Sequence, residues 1–150
     1  MQLTRAADYG VRVMIHLAGC ADGERTMLPT LAKATDTPMS FLSKVLQALA
    51  RAQMITSWRG KSGGFAIRPE GRNASMLNVI EAIDGPIHLN ICLISGKNCD
   101  RSKQCPAHPV WERAQQAMFD VLTRASITEM AGGERPAKQV TQFVVLNSRR

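Results

Sequence analysis

Four side chains that commonly bind soft metal ions lie close together in this 150-residue sequence: Cys92, Cys99, Cys105 and His108. Thiolates and imidazoles hold zinc ions or iron–sulfur clusters, and such ligands have to converge on one point. The residues between them are rich in Gly, Asn, Ser and Lys, which allow the backbone to wrap around a bound group. The run therefore predicts a metal or cluster site, with ordinary surface cysteines as the alternative.

Two features argue against a disulfide framework. The run contains an odd number of cysteines, and the N-terminus MQLTRAADYG lacks the charged-then-apolar profile of an export signal. Because no apolar stretch approaches the roughly 20 residues needed to cross a bilayer, we expect no membrane partner and a cytoplasmic, reducing location. The remaining cysteine and histidines, Cys20, His16 and His88, are predicted not to be ligands.

The positive charge is concentrated in the first half of the chain. Of the formal net charge of +7, residues 1–72 contribute ten Lys/Arg against five Asp/Glu, whereas residues 73–150 hold nine against seven. A polyanion-binding module uses such an excess to contact phosphates and release counterions. The charge therefore favours nucleic acid as a partner.

The first element that must position these residues is an amphipathic helix from about Thr4, a potential N-cap, to Cys20. Its apolar residues recur at helical spacing, and one polar stripe runs along another face. The stripe consists of Asp8, Arg12 and His16.

A helix-turn-helix is predicted next. A short helix over 28–35 is followed by the break Asp36-Thr37-Pro38, and a third helix runs to about Gln53, with Asp36 or Thr37 as its cap. Apolar spacing predicts the buried side of the third helix. Its members are Phe41, Leu42, Val45, Leu46, Leu49 and Ala52.

Two short strands, 54–58 and 64–67, flank the glycine-rich, basic tip Arg59-Gly60-Lys61-Ser62-Gly63. A helix-turn-helix followed by such a hairpin predicts a winged helix. The glycines permit close approach to a minor groove, and Arg59 and Lys61 suit its negative potential.

The second half is predicted to hold a loop over 69–73 and a helix that Ser75 caps and Gly85-Pro86 ends. The cysteine run follows, and then a long amphipathic helix from Pro109 to about Ala131, ended by Gly132-Gly133. Such a helix on a small DNA-binding domain often pairs with a second copy, with core packing as the alternative. The tail contains the apolar run 143–146, either a docking strand or disorder.

The predicted fold is mainly α with a small β-hairpin wing: a winged helix-turn-helix plus a long C-terminal dimerisation helix. It divides into a DNA-binding region (1–72), a connecting helix and cysteine loop (73–108), a dimerisation helix (109–131) and a tail (132–150).

Three separated motifs resemble the dimeric bacterial winged-helix regulators typified by IscR, NsrR and RirA. LTRAADYGVRVMIHLA is similar to their first helix, and SFLSKVLQALARAQMITSWRGKSGGFAI to their recognition helix and wing. The latter includes the R-G-x-x-G-G signature at Arg59, Gly60, Gly63 and Gly64, and the cysteine loop lies at the family's cluster site, before His108 and Trp111. The resemblance covers residues 1–131. It implies a transcription factor, usually a repressor, whose iron–sulfur cluster reports iron, nitric oxide or redox state.

The resemblance implies that Cys92, Cys99 and Cys105 are thiolate ligands, at a spacing of six and five residues where five and five is commoner. IscR-like members use a histidine three residues after the last cysteine, which matches His108 and goes with a 2Fe–2S cluster. NsrR-like members use an aspartate from the partner's first helix, which matches Asp8 and goes with 4Fe–4S. The local alternatives are that Asp8 pairs with Arg12 and that His108 caps its helix.

The resemblance also indicates DNA-binding residues, which would read a palindromic operator as a homodimer. Lys44 and Gln47 could reach guanine and adenine edges, Thr4 and Ser40 could contact phosphates, and Phe41 could touch a thymine methyl or lie in the core. The full set is Thr4, Ser40, Phe41, Ser43, Lys44, Gln47, Arg59, Gly60 and Lys61.

Three alternatives keep a winged helix but change its role: a zinc site of three cysteines and a histidine, a metal-free thiol switch, and a protein-interaction module. An enzyme is disfavoured because the sequence has no general-base constellation, phosphate loop or nucleophile motif, and no small-molecule substrate is expected.

Overall fold

A computed structural model describes residues 3–60, 62–94, 99 and 104–132. Within these ranges the chain forms seven α-helices and one two-stranded antiparallel hairpin, which confirms the predicted mainly helical fold with a β wing. The helices are α1 (Arg5–Ala18), α2 (Leu28–Thr35), α3 (Met39–Arg51), α4 (Pro69–Arg72), α5 (Met76–Asp84), α6 (His108–Arg124) and α7 (Ile127–Ala131). The strands are β1 (Ile55–Trp58) and β2 (Gly64–Ile67), with a 3₁₀ turn at Ile91–Leu93.

The core is built around α1, which packs against α2, α3, α5 and α7. Val13, Met14 and Leu17 of α1 are fully buried, as their helical spacing requires. At Gly10 a Cβ atom would lie 2.0 Å from Cδ1 of Ile83, so the absence of a side chain lets α1 and α5 approach closely. Because α5 belongs to the second half of the sequence, the winged helix shares one core with residues beyond 72.

Two predicted helix caps are confirmed. The Thr4 hydroxyl accepts from the Ala7 N–H at the start of α1. Ser75 forms a reciprocal capping box with Asn78 at the start of α5: each side chain bonds to the other residue's backbone N–H. These bonds satisfy N–H groups that lack partners within a helix.

The turn between α2 and α3 differs from the prediction. Asp36 ends α2 in the left-handed conformation, with φ at 50°, and the hydroxyl of Thr37 donates to the carbonyl of Thr35 instead of capping α3. Pro38 is itself the N-cap of α3, and no side-chain cap bond is made there. The prediction that Asp36 or Thr37 caps α3 is therefore wrong, because both residues are used to close α2.

Residues 69–73 were predicted to be a loop but include the short helix α4. Pro69 occupies its first turn, where a missing N–H costs nothing. Gly71 is buried, and a Cβ there would lie 2.2 Å from the carbonyl oxygen of Met54. This close approach fits one turn of helix against the end of α3.

The long helix ends earlier than predicted. Ala125 adopts an extended conformation, and its carbonyl accepts from the N–H of Met76 at 2.8 Å, which stops α6 at Arg124. Ser126 then caps α7, whose first residue, Ile127, is fully buried. The single helix to Ala131 is therefore corrected to two helices, since the chain turns back to the core. Gly132 is the C-cap of α7, whereas Gly133 and the 143–146 run lie outside the described residues.

Candidate DNA-binding face and cysteine site

Helix α3 buries one face and exposes another. Its buried residues are Leu42, Val45, Leu46, Ala48 and Leu49. The opposite face carries the predicted DNA-contacting residues, and all of them are exposed. They are Ser40, Phe41, Ser43, Lys44 and Gln47.

Phe41 and Ala52 are corrections to the predicted buried side, because both are exposed. Phe41 is 48% exposed and meets the ring of Tyr9 edge to face, with centroids 5.9 Å apart. Its position in the first turn of α3 places it beyond the packed stripe. Of the two options for Phe41, contact with DNA or the core, the core is excluded.

The first turn of α3 has no charge or side-chain cap of its own to offset the helix dipole. All of α3 is described, and that turn has neither an acidic residue nor a side-chain cap bond. The nearest acidic side chain along the chain is Asp36, before the helix begins.

The backbone geometry of the wing explains why glycine occurs at positions 60, 63 and 64. Gly60 and Gly64 have φ of +94° and +134°, a region where side chains are disfavoured. At Gly63 a Cβ atom would lie 2.3 Å from the Trp58 carbonyl oxygen, and the Gly63 N–H donates to the carbonyl of Gly60 at 3.0 Å. The backbone angles therefore favour glycine at 60 and 64, and the close backbone contacts exclude any side chain at 63. Arg59 and Gly60 are exposed at the tip, and Lys61 lies outside the described residues.

No sequence pattern indicated the contacts of Arg25. Its guanidinium carbon lies 4.2 Å from the centroid of the Trp58 ring, and its Nη1 donates to the carbonyl of Ser62 at 3.3 Å. The next residue, Thr26, exchanges two backbone hydrogen bonds with Phe65, at 2.9 and 3.0 Å. The segment before α2 therefore pairs with β2 at the edge of the hairpin.

Thr4 is exposed, but it is hydrogen-bonded to the end of α5. Its hydroxyl donates to Oδ1 of Asp84 at 2.6 Å, and its backbone N–H donates to Oδ2 at 3.2 Å. A phosphate would compete with this carboxylate for the same hydrogen, so the predicted phosphate contact of Thr4 stays a prediction.

Two cysteines of the run, Cys92 and Cys105, lie next to α6. Cys92 lies in the 3₁₀ turn that packs against α6, and Cys105 precedes the helix, with its carbonyl accepting from the His108 N–H. Cys99 is exposed, and all three thiols are free. No three ligand-type side chains are assembled into a metal-binding group among the described residues, which omit 95–98 and 100–103.

The two candidate fourth ligands both have local partners. His108 is the first residue of α6, and its Nδ1 lies 3.6 Å from Oε1 of Glu112. The N-cap of α6 is Ala107, so the alternative in which His108 caps this helix is wrong. Asp8 lies on an exposed face of α1, where its Oδ2 is 2.7 Å from Nη2 of Arg12. The Asp8–Arg12 pair that the sequence offered as an alternative therefore exists in the isolated chain.

The segment from Asp84 to Leu89, which precedes the cysteines, is hydrogen-bonded to other helices at both ends. Asp84, the last residue of α5, holds Thr4 as described above. Five residues later, the N–H of Leu89 donates to Oε1 of Gln115 on α6 at 2.9 Å. Between them, Nδ1 of His88 is buried without a hydrogen-bond partner in the described part of the chain. Residues 84–89, which precede the cysteines, thus connect the start of α1 with α6.

Helix α6 exposes an apolar stripe. All seventeen of its residues are described, and none is buried. Val110 and Val121 are 63% and 69% exposed, and with the exposed Ala114 and Ala117 they recur at spacings of four, three and four residues. Within the described ranges, none of the helices has the length and apolar character of a bilayer span.

Comparisons with known proteins give one matching family and several relatives. The family described as Rrf2, Iron-dependent Transcriptional regulator, matches residues 3–133. A candidate HTH-type transcriptional regulator of Mycobacterium tuberculosis is 29% identical over 136 residues, covering 91% of this chain and 84% of the relative. The protein aau3 of Rhizobium meliloti is 27% identical over 132 residues, covering 87% and 84%.

Solved structures agree on the fold. CymR, the global cysteine regulator of B. subtilis, superposes with a TM-score of 0.69 at 22% identity, covering 88% of this chain and 97% of that one. IscR of T. potens gives 0.66 at 20% identity, covering 88% and 87%. At these identities the likeness concerns the fold alone. The family match extends over most of the sequence, and the chain belongs to the Rrf2 family of transcriptional regulators, which are not enzymes.

Proposed function

We propose that this chain is a homodimeric, sequence-specific repressor whose affinity for a palindromic DNA operator is controlled by an iron–sulfur cluster. The observation that carries the DNA-binding part is the exposed polar face of α3 beside the basic wing. Ser40, Ser43, Lys44 and Gln47 are all exposed there, although the core needs only the opposite face of the helix. The width of one helix suits a major groove, and the wing suits the neighbouring minor groove.

Two substitutions test the DNA-binding face. Lys44→Ala should lose preference for the duplex that the wild type selects from a random library, because Lys44 reaches a base edge. Lys61→Ala should weaken binding to all duplexes alike and lower the salt dependence by about one counterion, as expected for a phosphate contact. Fluorescence anisotropy over a salt series measures both. An intact preference in Lys44→Ala would refute the proposed recognition face.

The cysteine segment is proposed to hold the cluster through Cys92, Cys99 and Cys105. The donor set fits, since thiols and an imidazole are ligands that iron–sulfur clusters take, and Cys92, Cys105 and His108 lie at or next to α6. When bound, the cluster would supply a centre sensitive to iron supply, nitric oxide and oxidation. The residues of the chain supply the ligands and the attachment to α6.

The fourth ligand is proposed to be His108, with Asp8 of the partner as the second candidate. The Nδ1 side of the His108 ring faces the Glu112 carboxylate, which leaves Nε2 for a metal; a carboxylate behind a ligating histidine is the usual arrangement. Asp8 would first have to leave Arg12. That step costs little, because the pair is about half exposed and such pairs contribute about 1 kcal/mol or less.

Anaerobic purification followed by visible absorption and analysis for iron, sulfide and zinc tests the cofactor. A coloured protein with equal iron and sulfide supports the cluster, and a colourless protein with one zinc per chain refutes it. His108→Ala and Asp8→Ala then identify the fourth ligand, because only the ligand's replacement should change the spectrum. Arg12→Ala is the control for Asp8→Ala, since it breaks the same ion pair and keeps the carboxylate.

The homodimer is proposed to form through the exposed stripe Val110, Ala114, Ala117 and Val121 of α6. An apolar stripe with this spacing is what two paired helices bury between them. Val121→Glu should give a monomer by light scattering and weaken binding to a palindromic duplex, because two half-sites are no longer held together. Thr123→Glu, also on the exposed part of α6 but off the stripe, should stay dimeric.

A metal-free thiol switch is the second candidate, favoured by the free and partly exposed thiols of Cys92, Cys99 and Cys105. It predicts that oxidation changes DNA affinity, that the change persists after chelation, and that a thiol reductant reverses it. The cluster proposal predicts instead that chelation of the released iron prevents recovery.

A further inference from the structure

The wing is fastened to the rest of the chain by a side chain from outside the hairpin. Arg25 lies over the ring of Trp58, 4.2 Å from its centroid, and its Nη1 reaches the carbonyl of Ser62 at 3.3 Å. Trp58 is the last residue of β1, and Ser62 belongs to the tip. One guanidinium therefore spans the hairpin from its last paired residue to its turn.

The wing needs such support because it is small. Its two strands have four residues each, and the last backbone pair joins Trp58 to Gly64. An isolated hairpin of this size is marginally stable in water. The tip that carries Arg59 and Gly60 extends beyond that pair, where strand hydrogen bonds no longer fix its direction.

The backbone next to Arg25 is itself hydrogen-bonded to the wing. Thr26, next to Arg25, exchanges two backbone hydrogen bonds with Phe65 of β2 and is 7% exposed. The backbone of Arg25 is therefore anchored to the strand opposite Trp58. Both of its side-chain contacts are to the wing.

We propose that Arg25 is a positioning residue for DNA binding, which aims the wing tip by its contacts with Trp58 and Ser62. This inference rests on the proposed function, because a wing direction matters only if the wing contacts DNA. Arg25 acts through Arg59 at the tip, and a direct phosphate contact by Arg25 is the competing explanation.

The free protein gives the first readout. Trp58 is isolated in a Trp111→Phe background, since the sequence has two tryptophans. Removing the cation over the indole in Arg25→Ala should change the Trp58 emission and increase its quenching by acrylamide. Arg68→Ala removes the same charge from a partly exposed arginine at the base of the hairpin and should leave Trp58 unchanged.

Binding to the library-selected duplex gives the second readout. Arg25→Ala should raise Kd about five- to tenfold, the combined effect of one exposed cation–π contact and one hydrogen bond. Arg25→Lys, which keeps the cation near the ring, should recover part of the loss. In a background that lacks both tip cations (Arg59→Ala with Lys61→Ala), Arg25→Ala should have little further effect, because the groups that it positions are already absent.

The binding measurements distinguish a positioning role of Arg25 from a direct phosphate contact. An additive effect of Arg25→Ala in the background without both tip cations would show a direct contact and overturn the positioning role, as would wild-type affinity in Arg25→Ala. A wild-type protein that selects no duplex would refute the proposed function and with it the role of Arg25 in DNA binding. The Trp58 signal would still report whether the contact exists.

Discussion

At the scale of single residues, Arg72 joins three parts of the chain. Its Nη1 and Nη2 donate to the carbonyls of Ala18 and Cys20 at 2.9 and 3.0 Å, and its Nη2 lies 2.8 Å from Oδ1 of Asp22. Its own carbonyl accepts from the Thr128 hydroxyl. The positive charge of Arg72 therefore offsets the negative potential of the unpaired carbonyls at the C-terminal end of α1.

Arg72→Ala should lower the free energy of unfolding by about 2 kcal/mol, because charged hydrogen bonds to partly buried carbonyls are lost. Chemical denaturation measures the change. Arg68→Ala is the matched control, since Arg68 pairs only with the exposed Glu70, and it should change stability by no more than about 0.5 kcal/mol. Equal losses in the two variants would contradict the role given to Arg72.

Gln53 is strained, with φ at 61°. Its N–H donates to the carbonyl of Ala50, and the N–H of Met54 donates to that of Leu49, the two bonds of a Schellman motif at the end of α3. Glycine is preferred at this left-handed position.

Gln53→Gly should raise the free energy of unfolding by about 0.5–1 kcal/mol, since relief of the left-handed strain exceeds the added flexibility of the unfolded chain. Thermal unfolding is the measurement. Gln53→Ala removes the same side chain without relieving the strain and should give no increase. A matching rise in the alanine variant would assign the effect to the side chain.

At the scale of elements, the turn of the wing depends on two glycines in different ways. A Cβ at Gly60 would meet no atom within 4 Å and would suffer only from the φ of +94°, whereas a Cβ at Gly63 would strike backbone oxygens at 2.3 and 2.8 Å. The second conflict can be relieved only by moving the backbone.

Gly63→Ala should therefore disturb the hairpin more than Gly60→Ala, which should cost about 1 kcal/mol. Hydrogen exchange of the Thr26 and Phe65 amides is the measurement, because each N–H donates to the carbonyl of the other residue at the edge of the wing. Faster exchange in Gly60→Ala than in Gly63→Ala would contradict this order.

Local patterns predicted α2 and β2 with the bounds that the structure has, since Pro29, the break at 36–38 and the glycines act over a few residues. The bounds of α6 and α7 could not be predicted in this way. The end of α6 depends on a hydrogen bond from Met76, some fifty residues earlier in the chain. Phe41 was misplaced for a similar reason: periodicity gives its angle on α3 but not the point at which the neighbouring helices stop covering it.

At the scale of the whole molecule, the winged helix does not end where its sequence motif ends. Residues from beyond 72 complete its core, among them the fully buried Ile127 of α7. The buried set beyond 72 is Ala74, Val79, Ile80, Ile87 and Ile127. The proposed division at residue 72 describes motifs and not independent folding units.

A fragment of residues 1–72 should therefore lack cooperative thermal unfolding, because α1 would expose the surface that α5 and α7 cover. Circular dichroism and amide NMR dispersion test this, with a fragment of residues 1–132 as the control. Cooperative unfolding of the short fragment would contradict the shared core.

The candidate site was predictable in part. The types and order of Cys92, Cys99, Cys105 and His108 indicated soft-metal chemistry, and the exposed face of α3 follows from its periodicity. The contact of Arg25 with Trp58 could not be predicted, since the two residues are brought together only by the strand pairing of Thr26 with Phe65.

The hydrogen bonds at the two ends of residues 84–89 tie the start of α1 to α6. Asp84 is bonded to Thr4 and Leu89 to Gln115, and only four residues separate them. A shift of α6 relative to α1 therefore has to break one of these bonds or carry the start of α1 with it. If the proposed cluster moves α6, the same tie would pass that movement to α1, which packs against α3.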